Sequence, residues 1–357
     1  MSEKWRENLI KITPYVAGEQ SKSKNLIKLN ANENAYAPSP EAKKVLENFD
    51  VDKLKKYPDA MGEPLKSVLA DYYGLNKNQI FVGNGSDDVL AAAFRAFFNS
   101  DKPIFYPDIT YSFYPVWCEL LKIPYQTKKL KADFTIDTKD YYPENGGVVF
   151  PNPNAPTSLS MPLENVVDIL EHNKDVIVII DETYVDFGGE SAINLISEYK
   201  NLVITRTFSK SRSLAGMRLG FAMANEELIS YMNAVKDSYN TYPLDTIAAA
   251  VGTASVKDEK YFRDTLDKII NTRTRIAKEL NEIGFEVLDS KTNFLFVTHK
   301  SVKAVEIFEY LKKKDIFIRY FNSERIDNYL RITIGTDDEM DKMMTEIKNF
   351  LSESKVN

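Results

Sequence analysis

Lys210 stands in the run Asn201-Leu-Val-Ile-Thr-Arg-Thr-Phe-Ser-Lys-Ser-Arg-Ser-Leu-Ala-Gly-Met-Arg-Leu-Gly-Phe221. Leu202 to Ile204 reads as a buried strand that empties into a polar loop carrying Ser209 and Lys210, and Arg218 follows just before a second strand-like run. A lysine at the end of a buried strand loses hydration, which disfavours its ammonium form. The neutral amine can then attack a carbonyl, as a Schiff-base lysine does. Asp181 has a similar placement, at the end of the apolar run Val176-Ile-Val-Ile-Ile-Asp-Glu-Thr-Tyr184. A carboxylate there is costly unless paired, and a protonated ring nitrogen is a suitable partner. A helix N-cap is the plain alternative. Tyr184, three residues on, can bring its hydroxyl toward the same place.

Three further groupings bear on chemistry. Gly83-Asn-Gly-Ser-Asp-Asp-Val89 lies between a strand pattern and a helix pattern. Glycines such as Gly85 let the backbone approach an anion, and the helix start offers unpaired N–H groups around Ser86 and Asp87, which suits a phosphate. An ordinary turn capped by Ser86 or Asp87 is the alternative. The third glycine of the dinucleotide fingerprint is absent, which argues against a nicotinamide site. Pro151-Asn-Pro-Asn-Ala-Pro-Thr-Ser158 is stiffened by its prolines and can hold the Asn154 amide in place, or form a surface turn. Arg319 and Arg331 lie on or beside strand patterns, where a guanidinium seeks a planar or phosphate anion or a structural ion pair.

These residues need a scaffold that brings strand ends together. Gln79 to Gly83, Pro103 to Tyr106, Gly147 to Phe150, Val176 to Ile180, Leu202 to Thr205 and Leu219 to Met223 read as short apolar strands. Helical periodicity lies among them: Leu65 to Tyr72, Ser86 to Phe98, Tyr111 to Leu121 and Leu163 to His172. Short, fully apolar strands between helices predict an α/β fold, a mostly parallel sheet covered by helices on both faces. In such sheets ligands bind at the carboxyl ends of the strands, where the candidates above fall. Leu244 to Ile283 reads as helix broken near Val256. Strands at Phe285 to Leu288, Asn293 to Thr298, Ile316 to Tyr320 and Tyr329 to Ile334, with helices at Ala304 to Lys312 and Glu339 to Leu351, predict a smaller α+β domain. The expected division is an N-terminal arm over 1–35, a large domain over 36–245 and a small domain over 246–357.

Bulk properties narrow the function. A net charge of −6 argues against a nucleic-acid surface. No apolar run approaches the ~20 residues that span a bilayer. The start Met1-Ser-Glu-Lys-Trp-Arg-Glu7 has no apolar signal core, and the single cysteine, Cys118, fits a reducing compartment, so a cytoplasmic location is expected. Only His172 and His299 are present, without metal-ligand spacing, so neither a zinc site nor a histidine triad is expected.

Taken in order, Ser86-Asp87, Tyr111, Asn154, Asp181, Tyr184, Ser209-Lys210 and Arg218 resemble the site of a fold-type I pyridoxal-phosphate aminotransferase. The resemblance spans nearly the whole chain. It implies pyridoxal 5'-phosphate as cofactor, held covalently by Lys210. Asp181 would pair with the pyridine nitrogen and Tyr184 with the ring oxygen. Gly85, Ser86, Asp87, Ser209 and Arg218 would hold the phosphate, and Tyr111 would stack on the ring. Within that group, Ile12-Thr-Pro-Tyr15, Leu29-Asn-Ala-Asn-Glu-Asn-Ala-Tyr36, Lys56-Tyr-Pro-Asp59 and Leu330-Arg-Ile-Thr-Ile-Gly-Thr336 are similar to the histidinol-phosphate aminotransferase family. The implied substrates are histidinol phosphate and 2-oxoglutarate/glutamate. Tyr15, Arg319 and Arg331 would hold the substrate phosphate, with Glu33 near the imidazole. Tyr57 would reach the cofactor phosphate of a partner subunit, which implies a homodimer with shared active sites. One departure stands out: the family's asparagine directly before the proline is Ala155 here, leaving Asn154, one residue earlier, as the candidate for that contact. An aromatic or broad-range aminotransferase, threonine-phosphate decarboxylase and a non-catalytic binding protein on the same fold are the competing readings.

Overall fold

The computed structural model describes residues 4–15 and 26–353. The first elements in chain order are β1 (Ile27–Lys28), α1 (Pro40–Glu47), α2 (Leu65–Tyr73), β2 (Ile80–Gly83), α3 (Gly85–Phe97) and β3 (Ile104–Pro107). They are followed by α4 (Tyr114–Leu121), β4 (Tyr125–Lys128), β5 (Val148–Pro151), α5 (Leu163–Glu171), β6 (Val178–Asp181), β7 (Leu202–Thr207) and β8 (Gly220–Ala224). Strands β2 to β8 form one sheet in the order β2-β8-β7-β6-β5-β3-β4. Only β8 runs against the others, antiparallel to both β2 and β7. This is the expected mostly parallel sheet.

Alternation along each strand sends side chains to two cores. Ile80, Val82, Phe150, Ile180, Leu202 and Ile204 face one core with Leu65 and Leu69 of α2 and Val166 of α5. Phe81, Val149, Ile179 and Val203 face the other, with Leu90 and Phe94 of α3 and Trp117 of α4. Both faces are apolar, so all strands except β4 are buried along their length. β4 reads Tyr-Gln-Thr-Lys and is an edge strand, mostly exposed, which is why no apolar run marks it. Helix α4 starts at Tyr114, later than the periodicity suggested, because Pro115 fits only in a first turn.

The chain continues with α6 (Glu226–Tyr239), α7 (Thr246–Lys257) and α8 (Glu259–Glu282). The break in the long helical stretch falls at Asp258, whose carboxylate accepts from the Tyr261 N–H and so caps α8. Helix α7 gives Ala248, Ala249, Val251 and Val256 to the large-sheet core. Helix α8 gives Leu266, Ile269, Ile276 and Leu280 to a third core. That core is closed by β9 (Phe285–Val287), β10 (Phe294–His299), α9 (Ala304–Lys313), β11 (Ile316–Phe317), β12 (Arg319–Tyr320), β13 (Leu330–Thr333) and α10 (Asp337–Glu353). An antiparallel sheet runs β12-β13-β10-β9, and β11 pairs in parallel with β1. The single strand expected over Ile316 to Tyr320 is therefore two. Its first half binds the N-terminal segment and its second half binds β13, with buried Ile318 between them. Among the described residues no helix is long and apolar enough to cross a membrane.

Candidate active site

A cavity of about 1040 Å³ opens at the carboxyl ends of the parallel strands, between the large sheet and the small antiparallel one. Lys210, Asp181 and Tyr184 all line it. Lys210 follows β7 in a loop fixed on both sides. The Asn34 side-chain amide donates to the Lys210 carbonyl at 2.9 Å, and the Ser211 hydroxyl donates to Asp186 at 2.6 Å. Among the described residues the Lys210 ammonium has one hydrogen bond, to the Ala31 carbonyl at 3.2 Å. Burial, and then the nearby Arg331 charge, push its pKa down to about 8, against the pull of Glu33 and Asp87. An amine so placed is available as a nucleophile or base close to neutral pH.

Asp181 ends β6 with 5% of its surface exposed. Its Oδ1 accepts from the Thr183 backbone N–H at 3.1 Å and hydroxyl at 2.7 Å. Burial raises its pKa from the ordinary 3.8 to about 6, although the hydrogen bonds from Thr183 pull the other way. No cation is within ion-pair distance of it among the described residues. Tyr184 is buried with its ring edge-on to Phe294, and its hydroxyl accepts from the Asn32 side-chain amide at 2.8 Å.

The glycine-bearing turn meets Arg218. Gly85 has φ +84, and a β-carbon on it would lie 2.6 Å from an Arg218 guanidinium nitrogen. A β-carbon on Gly220 would lie 2.6 Å from the Ser86 amide nitrogen, so β8 and the start of α3 touch backbone to backbone. Asp87 accepts from Arg218 at 3.1 Å and from the Tyr111 hydroxyl at 2.8 Å. The start of α3, with its unpaired N–H groups, together with Ser209 and Arg218, lines one end of the cavity and suits an anion.

Arg319 and Arg331 line the opposite part of the cavity and are direct cross-strand partners of β12 and β13. Two like charges placed opposite each other repel. Arg331 donates to the Asn30 carbonyl at 2.9 Å, while its enclosed Nε has no partner among the described residues. Burial, and then Arg319, lower its pKa. Among the described residues no carboxylate lies within ion-pair distance of either arginine. Tyr15, stacked on Phe113 at 4.9 Å, and Glu33, paired with Lys28 at 2.7 Å, complete this side.

Three sequence candidates lie outside the cavity lining. Gly85 sits behind Arg218 as backbone. The Asn154 amide is fully used elsewhere: it donates to the Ile109 carbonyl at 3.0 Å and Thr157 at 2.8 Å, and accepts from Thr110 at 2.9 Å. Ala155 and Pro156 face the cavity in its place. Tyr57 is 83% exposed and stacks on Tyr242, away from the cavity of its own chain. Sequence reasoning passed over Asn32 and Asn34. Their one signal is the density of asparagines in Leu29 to Tyr36, since a segment rich in buried amides must bond to something.

The chain belongs to the aminotransferases of class I and II, whose family model matches residues 24–347. It is 49% identical over 347 residues to the histidinol-phosphate aminotransferase of Lactococcus lactis subsp. cremoris (strain MG1363), covering 97% of this chain and 98% of that protein. It is also 49% identical over 352 residues to the histidinol-phosphate aminotransferase of Clostridium acetobutylicum, covering 99% and 100%. The solved histidinol-phosphate aminotransferase from Sinorhizobium meliloti, in complex with pyridoxal-5'-phosphate, has a TM-score of 0.83 at 24% identity. That comparison covers 92% of this chain and 91% of the other, a likeness of fold.

Proposed function

We propose that this chain transfers the amino group of L-histidinol phosphate to 2-oxoglutarate, giving imidazole-acetol phosphate and glutamate in histidine biosynthesis, with pyridoxal 5'-phosphate as cofactor. The observation that carries this reading is the unneutralised pair Arg319 and Arg331 in the same cavity as Lys210 and Asp181. A substrate bearing both an amine and a phosphate answers both ends. The curated relatives at 49% identity carry the same activity in their names.

The residues present fit the cofactor. Lys210 is a cavity amine with a lowered pKa, and Asp181 is a buried carboxylate without a cation. The start of α3 and Arg218 make a close-packed anion cradle. Lys210 would hold the aldehyde carbon, Asp181 the ring nitrogen, and Tyr184 the ring oxygen. Ser86, Asp87, Ser209 and Arg218 would hold the phosphate, with Tyr111 along the ring. When bound, the cofactor supplies an electron sink for the charge left on the substrate's α-carbon. Lys210 Nζ, once free, takes the α-proton and later returns a proton, as general base and then acid. Asp181 keeps a protonated nitrogen in place through its charge. Arg319, Arg331 and Tyr15 bind the phosphate of one substrate and a carboxylate of the other, and Glu33 faces the imidazole.

The reading extends to assembly. Tyr57 and its chain neighbours Val51, Leu54 and Met61 are exposed, which supports a contact with a second copy through this segment. Tyr57 would then serve the partner's site in a cytoplasmic homodimer. Helix α7 packs on the large-sheet core, which supports a reading in which the large domain extends to near Asp258.

Spectral titration with histidinol phosphate tests the substrate, alongside turnover of an aromatic amino acid and of threonine phosphate. A hundredfold preference for an aromatic amino acid would overturn the assignment. Lys210→Ala is expected to stay folded and dimeric and to lose transamination by several orders of magnitude. Near-normal turnover in that variant would remove Lys210 from the chemistry.

A further inference from the structure

Asn32 sits where the large and small sheets meet, and its contacts have a definite sense. Its backbone has φ +53, a left-handed conformation that asparagine tolerates. Its N–H donates to the Thr333 hydroxyl at 3.0 Å, and that hydroxyl donates to Asn32 Oδ1 at 3.1 Å. The Asn293 side chain donates to the Asn32 carbonyl at 3.1 Å. Asn32 Nδ2 donates to the Tyr184 hydroxyl at 2.8 Å.

The opposite orientation of the amide is disfavoured. Were Asn32 flipped, Thr333 Oγ1 would accept from both the N–H and the amide of Asn32. Its own proton would then be left without an acceptor among the described residues. Thr333 is 2% exposed, so water does not replace that acceptor. A buried unsatisfied hydroxyl costs roughly 1–3 kcal/mol, enough to hold one orientation. The Asn32 amide is therefore a donor toward Tyr184. The Tyr184 hydroxyl, already accepting, has no other hydrogen-bond partner among the described residues, and its proton is free to point into the cavity that Tyr184 lines.

On the facing loop, Ala155 presents only a methyl group to the cavity, and the Asn154 amide is committed elsewhere. Tyr184 thus carries the donor role there without help from that loop. We propose that Asn32 is a positioning residue, filling the acceptor side of the Tyr184 hydroxyl so that its proton is aimed at the ring oxygen of the bound cofactor. Thr333 of β13 sets the sense of the amide, and Asn293, next to β10, ties down the Asn32 backbone carbonyl, so the aim of a tyrosine in the loop after β6 depends on the small sheet. This inference rests on the cofactor reading given under Proposed function.

A donor on the ring oxygen lowers the pH at which the visible absorbance of the bound cofactor changes with protonation, and loss of the donor raises it. The test is a pH titration of that absorbance in the parent, Asn32→Asp, Thr333→Val, Tyr184→Phe and Asn32→Asp/Tyr184→Phe proteins. Aspartate at 32 accepts where the amide donated and captures the Tyr184 proton. The midpoint should rise by about one pH unit, a tenfold change in proton affinity. Much of this rise should vanish in the Tyr184→Phe background, which separates the loss of the donor from the added charge. Thr333→Val frees the amide to turn and should shift the midpoint the same way by a smaller amount. It also keeps the test open if Asn32→Asp fails to fold, as judged by circular dichroism. Equal shifts with and without the Tyr184 hydroxyl, or midpoints unmoved in folded variants, would overturn the role of Asn32. A parent protein that takes up no coloured cofactor would instead overturn the reading beneath it.

Discussion

Arg206 and Arg331 both carry their guanidinium groups inside the molecule, and they differ in what faces them. Arg206 reaches Glu182 through Nε at 3.0 Å and Nη2 at 2.7 Å, Asp186 at 3.1 Å, and the hydroxyls of Tyr73 and Ser191. Burial alone would lower its pKa, but Tyr73, Glu182 and Asp186 more than offset that and hold it above its ordinary value. Among the described residues Arg331 has one carbonyl, an enclosed Nε without a partner, and a second arginine across the strand. Its pKa moves down. A cation that the fold itself has neutralised acts as a brace. Arg206 joins Glu182, which follows Asp181, to Asp186, which holds Ser211 beside Lys210. A cation left without a counter-ion is where the proposed function puts the anion of a ligand. Asp181, a buried carboxylate lining the same cavity, is the negative counterpart of Arg331.

The sharpest way to break this comparison is to remove the brace. Arg206→Ala leaves the buried Glu182 and the part-buried Asp186 without a cation, and removal of one partner from a buried network costs about 3–5 kcal/mol. Urea unfolding of the cofactor-free protein should show a loss of that size. Lysine should restore only part of it, because it lacks the planar fork that meets Glu182 through two nitrogens. A loss below about 1 kcal/mol would mean that the network behaves like a surface ion pair and that the contrast with Arg331 is empty.

Asp181 should respond in the opposite direction. Its pKa in the folded protein is raised from 3.8 to about 6, so between those values the native state holds a proton that the unfolded chain has released. Stability of the cofactor-free protein therefore falls as pH rises through that window, and the full cost of the buried charge is present above it. The shift corresponds to about 3 kcal/mol. Asp181→Asn should be more stable than the parent by up to that amount at pH 8 and equal to it below pH 4, as read by urea unfolding across pH. A variant that is less stable than the parent at pH 8 would show that the carboxylate is already compensated without the cofactor.

The two sides of the comparison were unequally legible in the sequence. Lys210 and Asp181 could be read because each is a charged residue ending an apolar run, and burial of those runs forces the charge to the end of a strand. The central strands were legible for the same reason. Arg206 lies inside β7, and its partners Glu182 and Asp186 come from the loop after β6, so no spacing announces the network. Helix α6 did carry a signal, Leu228, Ile229 and Met232 behind the Asn225 cap, whereas exposed β4 carried none. The orientation of Asn154 was beyond reach, since it depends on Ile109 and Thr110, forty-five and forty-four residues away in the chain. Arg319 and Arg331 were each visible in the sequence, but that they face each other follows from the register of β12 and β13.

That register gives the last and smallest expected effect. Arg331→Gln removes a charge that the fold does not neutralise and relieves its repulsion with Arg319. The cofactor-free protein should keep its stability within about 0.5 kcal/mol of the parent or gain slightly, in contrast to Arg206→Ala. The loss should appear in catalysis. A hydrogen bond to a charged group contributes about 1.5–3 kcal/mol, so kcat/KM for histidinol phosphate should fall roughly ten- to a hundredfold. For an amino donor without a phosphate the fall should be smaller, because Arg331 then has less charge to meet. If Arg331→Gln unfolds the protein as readily as Arg206→Ala does, both arginines are braces. The anion site would then have to be sought elsewhere along the cavity. If stability holds and only the phosphorylated substrate suffers, the missing counter-ion of Arg331 is the substrate itself.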